Sequence, residues 1–336
     1  MIKSIPENLT LSVIIPVKNG GAAFRNCLNK LRASTRLPDE IIVVDDASTD
    51  DSAQVARDAG AYVLSLNGTA QGPAWARNRG AVQARGEVLV FFDADVAVHA
   101  DTLALIENHL ATQPQVVALF GSYDDTPPAH NFVSLYKNLQ HHYVHQHAPQ
   151  EAMTFWAGCG AIRREVFMAL GGFDERYARP SIEDIELGMR LHKAEQRVWV
   201  CPDILVTHLK KWTLFSWLRS DIFDRAIPWS RLIRQQGKLP NTLNLDATSR
   251  FSAVSAWATV VFFGIGFFFH AAWLLAFLAW LVLIALNARL YKFFATKGGV
   301  IFAFVAALLH FFYLLYSSIV FVGVFVLGLK RSAPNE

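Results

Sequence analysis

The sequence predicts an α/β fold with a mostly parallel sheet, followed by helices that lie against and within a membrane. In the N-terminal part, short runs rich in Val and Ile alternate with helical stretches, which is typical of parallel strands joined by crossover helices. Further along, residues 251 to 288 and residues 298 to 329 contain no Asp, Glu, Lys or Arg. A membrane-spanning helix needs only about 20 apolar residues.

The predicted strands and helices follow one another in a regular order. A first strand, LSVIIPV, precedes a helix near Ala22 to Ala33, and a second strand, EIIVVDD, precedes a helix that begins at Asp51. A third strand, AYVLSL, precedes a helix near Ala74 to Ala84, and EVLVFFDAD contains the fourth strand. In such sheets ligands bind beyond the carboxyl ends of the strands, where acidic residues follow strands two and four.

Asp93 and Asp95 follow the fourth predicted strand. The two-residue period of a strand would turn both carboxylates the same way, so they could share one divalent cation. Carboxylate oxygens suit Mg²⁺ or Mn²⁺, and the metal would neutralise a leaving nucleoside diphosphate. The alternative interpretation is a solvated strand end without a metal.

Asp46 follows the second predicted strand, where a metal or a ribose could bind. The alternative is that this cluster starts a helix, with Ser48 and Thr49 as capping residues. Arg77 lies in GPAWARN, a turn that leads into a helix. There it could meet a phosphate beside the helix N-terminus.

Asp184 opens the helix predicted by PSIEDIELGMRL. Ser181 and Asp184 have the spacing of a capping box, in which the carboxylate reaches back to the N-cap residue. Asp184 could also be a general base that deprotonates an acceptor hydroxyl, and both interpretations can hold. His208, in LVTHLKKW, is either a third metal ligand or a structural histidine.

The remaining histidines and the cysteines indicate no further metal site. His141, His142, His145 and His147 superficially resemble a zinc box, but their spacing fits neighbours on a helix and no cysteine accompanies them. Cys27, Cys159 and Cys201 lack metal-ligand spacing, which favours free thiols in a reducing compartment.

A segment rich in tryptophan and arginine precedes the membrane blocks. The segment mixes Trp212, Trp217 and Trp229 with four arginines, as in amphipathic helices that lie in the membrane interface. The basic excess of the chain lies around this segment, which predicts contact with anionic lipid headgroups and no nucleic-acid partner. The first apolar block favours a hairpin that turns near His270. The last is one long span or a second hairpin, which Lys330-Arg331 weakly favours.

We therefore expect three regions. These are a catalytic domain over residues 1–210, interface helices over 211–250 and a transmembrane region over 251–330, with a hairpin at 251–288 and a span or hairpin at 299–329. Met1 to Thr10 lacks the apolar region of a secretory signal. The catalytic domain is therefore expected in the cytosol, in a multi-pass protein of the inner or plasma membrane.

Seven segments, taken in order, resemble glycosyltransferase family 2, whose catalytic domain has the Rossmann-like GT-A fold. They are SVIIPVKN, EIIVVDDASTDDS, GPAWARNRGA, VFFDAD, the glycine turn before GGFDE, IEDIELGMRL and VTHLKKW. The resemblance covers residues 10 to about 212. Their order along the chain is far more specific than any one segment.

The resemblance implies a role for each matching residue. Pro16, Val17, Asn19 and Asp46 would form the nucleoside pocket, with Arg77 at the donor and Asp93 against the nucleotide. Asp95 would hold Mn²⁺ or Mg²⁺, with His208 as the C-terminal metal ligand. Asp184 would be the base of an inverting single displacement. Gly158 and Gly160 would lie under the sugar or acceptor, and Glu183, Trp212 and Arg225 are further acceptor candidates.

The expected function is transfer of a sugar from a UDP- or GDP-linked donor to a membrane lipid, either a polyprenyl phosphate or a glycolipid. The chain lacks the Q-x-x-R-W motif of processive relatives and its membrane part is small. Both facts favour a single transfer over a processive polysaccharide synthase component. A catalytically silent membrane scaffold that binds nucleotide sugar is the remaining alternative, and the joint presence of Asp95, Asp184 and His208 argues against it.

Overall fold

The computed structural model describes residues 9–237 and 245–328 of the chain. The chain divides into two compact units between Thr213 and Leu214. The expectations for residues 1–8 and for Lys330-Arg331 lie outside the described ranges.

The first unit begins with four parallel strands joined by helices. Their spatial order is β3-β2-β1-β4. The elements are β1 Leu11–Val17, α1 Gly21–Arg32, β2 Glu40–Asp45, α2 Ser52–Asp58, β3 Tyr62–Ser65, α3 Pro73–Gln83 and β4 Val88–Phe92. This part confirms the predicted alternation of strands and helices.

The rest of the first unit makes the sheet mixed. The elements are β5 Val96–Val98, α4 Thr102–Thr112, β6 Val116–Tyr123, α5 Phe132–Gln146, β7 Cys159–Arg163, α6 Arg164–Ala169, α7 Glu183–Lys193 and β8 Arg197–His208. The complete order is β3-β2-β1-β4-β7-β6-β8-β5. Strand β7 is antiparallel to β4 and β6, and β5 is antiparallel to β8, whereas β6 and β8 are parallel.

Two apolar layers cover the sheet, one on each face. In β4, Val88 and Val90 pack with α1 and α4, whereas Leu89 and Phe91 pack with α3, α6 and α7. The alternation follows from the two-residue period of a strand. Because both faces are buried, the parallel strands read as nearly continuous apolar runs in the sequence.

Within its described residues, the second unit consists of helices joined by short turns. It contains α8 Leu214–Arg219, a π-helical segment Ser220–Ala226, α9 Ile227–Gln236, α10 Ala247–Ile265, α11 Ala271–Leu286 and α12 Ala288–Leu327. Asp246 caps α10 by accepting a hydrogen bond from the Ser249 backbone N–H at 2.8 Å. Gly237 ends α9 in the left-handed conformation, with φ 68°.

One helix of the described residues is long and apolar enough to cross a membrane, and it covers Ala288–Val326. Helix α11 is shorter, and residues 266–270 separate it from α10. The expectation of several membrane spans is therefore not supported, because only one helix within residues 9–237 and 245–328 is long and apolar enough.

Helix α12 reverses direction at Gly299, whose φ of 84° is not helical. Tyr291 Oη lies 3.0 Å from His310 Nδ1, although these residues are 19 positions apart. An unbroken helix would separate them by about 28 Å along its axis, because it rises about 1.5 Å per residue. The part after Gly299 still exceeds the roughly 20 residues that a membrane span requires.

Candidate active site

The loops after β1 and β2 bind each other at the carboxyl edge of the sheet. Asn19 has a left-handed backbone with φ 53°, a conformation that asparagine tolerates. Its amide oxygen accepts a hydrogen bond from the Thr49 N–H at 2.7 Å, and its own N–H donates to the Ser48 hydroxyl at 2.9 Å. The capping interpretation of Ser48 and Thr49 is therefore wrong, because the N-cap of α2 is Asp51.

Pro16 and Val17 lie in the ladder between β1 and β2. Pro16 is opposite Val44, and Val17 is opposite Asp45. The carbonyl of Val17 also accepts a hydrogen bond from the Asp46 N–H at 2.8 Å. This bond places Asp46 directly beyond the end of β1, where a ligand of the sheet edge would bind.

The buried carboxylate of Asp46 holds the turn that precedes α3. It accepts hydrogen bonds from the N–H groups of Gln71 and Gly72, both at 2.7 Å. Gly72 has φ 96°, and a Cβ there would lie 2.4 Å from the Ala178 carbonyl oxygen. Asp46 therefore lies at the predicted edge and orders its loops. A contact of Asp46 with a nucleobase stays a prediction.

Arg77 lies buried between two carboxylates. Its Nη2 is 2.6 Å from Asp93 Oδ1, and its Nη1 is 2.8 Å from Glu183 Oε1. Burial disfavours the charge, but Asp93 and Glu183 hold the pKa of Arg77 above its ordinary value. The structure thus places Arg77 between the end of β4 and the start of α7, with both terminal nitrogens engaged by protein groups.

Asp93 and Asp95 have different partners. Strand β4 ends at Phe92, and the chain turns so that the Val96 N–H donates to the Asp93 carbonyl at 3.3 Å. The two-residue alternation of side chains in a strand therefore does not apply to Asp93 and Asp95. Asp93 pairs with Arg77, whereas Asp95 Oδ2 lies 3.9 Å from His208 Nε2.

Strand pairing brings His208 to Asp95. Val96 is opposite His208 in the ladder of β5 and β8, and the Leu209 N–H donates to the Asp95 carbonyl at 2.8 Å. The His208 ring is buried and stacks on Tyr123, with centroids 4.2 Å apart and an angle of 11° between the planes. Tyr123 therefore restricts the orientation of the imidazole.

Asp95 and His208 fit a shared divalent ion. Metal–ligand distances are about 2.0 to 2.2 Å for imidazole nitrogen and carboxylate oxygen, so two ligands of one ion lie up to about 4 Å apart. The observed separation of 3.9 Å meets this condition. Burial raises the pKa of Asp95, while Lys210 and Arg77 act in the opposite direction.

Glu183 and Asp184 begin α7. Glu183 accepts a hydrogen bond from the Ser181 N–H at 2.9 Å, while Asp184 accepts one from the Ala157 N–H at 3.1 Å. The predicted capping box is therefore wrong, because Glu183 takes the N–H that Asp184 was expected to bind. Burial and the neighbouring Glu183 raise the pKa of Asp184 to about 7, despite the Ala157 hydrogen bond.

Gly158 lies next to Asp93, whereas Gly160 lies inside the sheet. The Asp93 N–H donates to the Gly158 carbonyl at 3.3 Å, and a Cβ on Gly158 would lie 2.6 Å from the Trp156 ring. Gly160 is opposite Phe91 and Phe120 in neighbouring strands. Gly158 is therefore next to the site, whereas Gly160 is a packing position of the sheet.

The remaining acceptor candidates lie in different units. Trp212 is buried in the first unit, where its backbone N–H and carbonyl bond to Ser134 and Asn131, both at 2.7 Å. Arg225 is in the second unit, 3.8 Å from the buried carboxylate of Asp221.

The aromatic residues around His208 were not predicted from the sequence. Trp156 lies 4.9 Å from the Tyr123 ring, and His141 lies 4.3 Å from it. No spacing rule connects these residues, because they come from β6, α5 and the loop before β7. His142 and His145 use their Nδ1 atoms on backbone carbonyls, at 2.7 and 2.9 Å, which agrees with a packed helix face and not with a zinc box.

Comparison with known proteins shows similarity to glycosyltransferases. Residues 12–171 match the family model described as "Glycosyl transferase family 2". The chain is 40% identical over 92 residues to an uncharacterized glycosyltransferase, YibD, of Escherichia coli K12. That match covers 26% of this chain and 27% of YibD, so the similarity reaches only about a quarter of the relative.

A second relative and a solved structure extend the similarity. The succinoglycan biosynthesis protein ExoA of Rhizobium meliloti is 27% identical over 304 residues, which cover 82% of this chain and 86% of ExoA. The mannosyltransferase PcManGT of Pyrobaculum calidifontis, solved with GDP-Man and Mn²⁺, superimposes with a TM-score of 0.60 at 19% identity. The superposition covers 95% of this chain and 88% of PcManGT, and at this identity it shows the shared GT-A fold.

Proposed function

We propose that this chain, whose residues 12–171 match the family model of glycosyl transferase family 2, is a glycosyltransferase that moves a sugar from a UDP- or GDP-linked donor to a lipid in the membrane, inverting the anomeric carbon. One observation carries the proposal. Asp95 with His208, and Glu183 with Asp184, lie at one edge of the sheet, and Arg77 joins the two groups through its ion pairs with Asp93 and Glu183.

The donor side contains the ligands for a divalent metal. Asp95 and His208 would hold Mn²⁺ or Mg²⁺, which would neutralise the charge on the departing nucleoside diphosphate. The solved PcManGT carries GDP-Man and Mn²⁺, which supports a metal in a protein of this fold. In this chain, Asp93 is the carboxylate next to that site, and Arg77 restricts its position.

The acceptor side contains a candidate base. Asp184 is held by the Ala157 N–H, and its pKa of about 7 places it near the pH of the cytosol. A carboxylate with this pKa can take the proton from an attacking hydroxyl, because catalysis is most effective when the pKa lies near the working pH. Single displacement then needs no covalent nucleophile, which agrees with an inverting transfer.

The second unit provides the membrane contact. Large apolar side chains are exposed on it, including Phe215 at 77%, Phe268 at 82% and Ile301 at 83%. Contiguous exposed apolar surface is typical of a membrane contact. We propose that this unit anchors the protein in the plasma membrane, with the catalytic unit in the cytosol and α10 and α11 as a membrane hairpin.

Nucleotide release by the detergent-purified full-length chain tests the proposal. A panel of UDP- and GDP-linked sugars is offered with Mn²⁺ and then with EDTA, with and without a membrane lipid extract. We expect one donor to be used, with release that requires metal, rises with lipid and is lost in Asp95→Ala. The proposal is wrong if every donor binds without turnover in the presence of lipid and metal.

The nature of the acceptor group has a separate readout. A hydroxyl acceptor must lose a proton, so Asp184→Asn should abolish transfer. A phosphate monoester is already ionised, so with a polyprenyl phosphate the same variant should keep part of its activity. Product analysis after long incubation distinguishes one added sugar from a polymer, which would instead indicate a processive synthase.

A further inference from the structure

Three side chains that commonly bind metals meet between α4 and β8. His109 comes from the last turn of α4, while Cys201 and Asp203 come from β8. One ligand atom of each residue lies within 4.8 Å of the others. We propose that they bind a divalent ion of the zinc class, with thiolate, imidazole and carboxylate as ligands and water in the fourth position.

An irregularity of β8 positions two of these ligands. Phe120 is opposite Val200 in the ladder of β6 and β8, but Ser122 is opposite Leu205. Strand β8 therefore has additional residues here, and Cys201 and Asp203 lie among them. Such bulges redirect side chains and are commonly found beside functional sites.

Gly121 shows that the bulge is specified by the sequence. A Cβ at this position would lie 2.2 Å from the Ile204 carbonyl oxygen, so only glycine fits opposite the bulged backbone. The carbonyl of Gly121 also accepts a hydrogen bond from His145 Nδ1 at 2.9 Å. At Gly121, strand β6 therefore contacts both the bulge of β8 and helix α5, and these contacts hold the two strands in place.

The three ligands combine a buried sulfur with an open entrance. Cys201 is 2% exposed and belongs to the apolar layer of α1 and α4. Asp203 is half exposed, and its Oδ2 lies 2.8 Å from His109 Nε2. An ion can therefore approach the carboxylate and the imidazole from solvent, with the buried thiol behind them.

The thiol must lose its proton when the ion binds. Burial and the charge of Asp203 raise the pKa of the Cys201 thiol. Formation of the metal–sulfur bond then releases the thiol proton to solvent. Binding is therefore expected to strengthen as the pH rises.

This site differs in its residues and in its chemistry from the candidate active site, which contains Asp93, Asp95, Glu183 and Asp184. The two sets of residues have no member in common, and a thiolate selects Zn²⁺ or Co²⁺, whereas oxygen ligands suit Mn²⁺ and Mg²⁺. The ion would tie the end of α4 to the bulge of β8. Its expected effect is on stability and not on sugar transfer.

Cobalt spectroscopy of the full-length chain tests the proposal. The detergent-purified protein is treated with EDTA, dialysed and titrated with Co²⁺, and the thiolate-to-cobalt charge-transfer band is followed in the near ultraviolet. We expect the band in the wild type and in Asp95→Ala, and its loss in Cys201→Ser. His109→Ala should weaken cobalt binding about tenfold or more.

Two controls make the result decisive. His192→Ala removes an exposed histidine of α7 and should leave the cobalt affinity unchanged. If Cys201→Ser fails to fold, the partly exposed His109 still provides the test. The proposal is overturned if the wild type gives no thiolate band, if the band persists in Cys201→Ser, or if His109→Ala and His192→Ala bind cobalt equally well.

Discussion

The guanidinium of Arg77 donates a hydrogen bond to the carboxylate of Glu183 at 2.8 Å, although the two residues are 106 positions apart. Both side chains are 5% exposed. Breaking a buried ion pair leaves an uncompensated charge in the interior, which is far more costly than losing an exposed pair. This pair joins α3 to α7, and with them the two halves of the candidate active site.

Arg77→Ala is therefore expected to destabilise the first unit by about 3 to 5 kcal/mol. Arg79→Ala is the matched control, because Arg79 and Glu175 form an exposed pair at 3.5 Å, which is expected to contribute about 1 kcal/mol or less. Thermal unfolding of the detergent-solubilised chain measures both. Equal losses in the two variants would contradict a structural role of the buried pair.

His208→Ala is expected to raise the Mn²⁺ concentration for half-maximal activity about tenfold or more. The reason is that the variant removes the nitrogen that lies 3.9 Å from Asp95. His147→Ala is the control, since His147 is exposed and stacks on Tyr143. Nucleotide release is measured as a function of Mn²⁺ concentration. If His208→Ala needs the same Mn²⁺ concentration as the wild type, His208 is not a metal ligand.

The transfer rate to a hydroxyl acceptor should rise with pH and reach half its maximum near pH 7. A base acts when ionised, and the pKa of Asp184 is about 7, so the ionised fraction increases through this range. Initial rates between about pH 5.5 and about pH 8.5 measure the profile, which extends on both sides of this pKa.

Glu183→Gln should move the midpoint of this pH profile to lower pH. The neighbouring Glu183 raises the pKa of Asp184, so removing its charge favours the ionised base at lower pH. Glu165→Gln, on the exposed side of α6, is the control and should keep the wild-type midpoint. A midpoint that stays in place in Glu183→Gln would argue against this charge interaction.

Gly188→Ala should lower the transfer rate more than it lowers donor binding. A Cβ there would lie 2.2 Å from the Phe155 nitrogen, so α7 would have to move away from the loop that donates the Ala157 N–H to Asp184. Gly264→Ala in α10 is the control, because nothing lies within 4 Å of its added Cβ. Transfer rates at saturating donor are measured for both variants. If Gly188→Ala transfers sugar as fast as Gly264→Ala, α7 tolerates the shift.

The sequence predicted the first half of the sheet well because that half is local. Each strand from β1 to β4 is a largely apolar run, and β1, β2 and β3 are each followed by residues that start a helix. Strands β5 to β8 were not predicted individually. β5 has only three residues, Val96–Val98, and its partner strand is far along the chain.

The residues of the candidate site could be predicted from the sequence, but the contacts between them could not. Asp93, Asp95 and Asp184 were identified from their motifs, but the position of Arg77 depends on Asp93 and on Glu183, which a local pattern cannot connect. The cysteines were judged by spacing alone. Cys201 and His109 meet only because α4 packs on β8, so sequence spacing could not have found them.

The pairing of β5 with the end of β8 has a consequence for synthesis on the ribosome. Asp95 emerges early, but the strand that brings His208 to it is completed just before the second unit begins. At about 5 to 20 residues per second, β5 waits roughly 5 to 20 seconds for its partner. The two proposed metal ligands thus come together only as the helices of the second unit begin to be made, so the site is completed late in the synthesis of the chain.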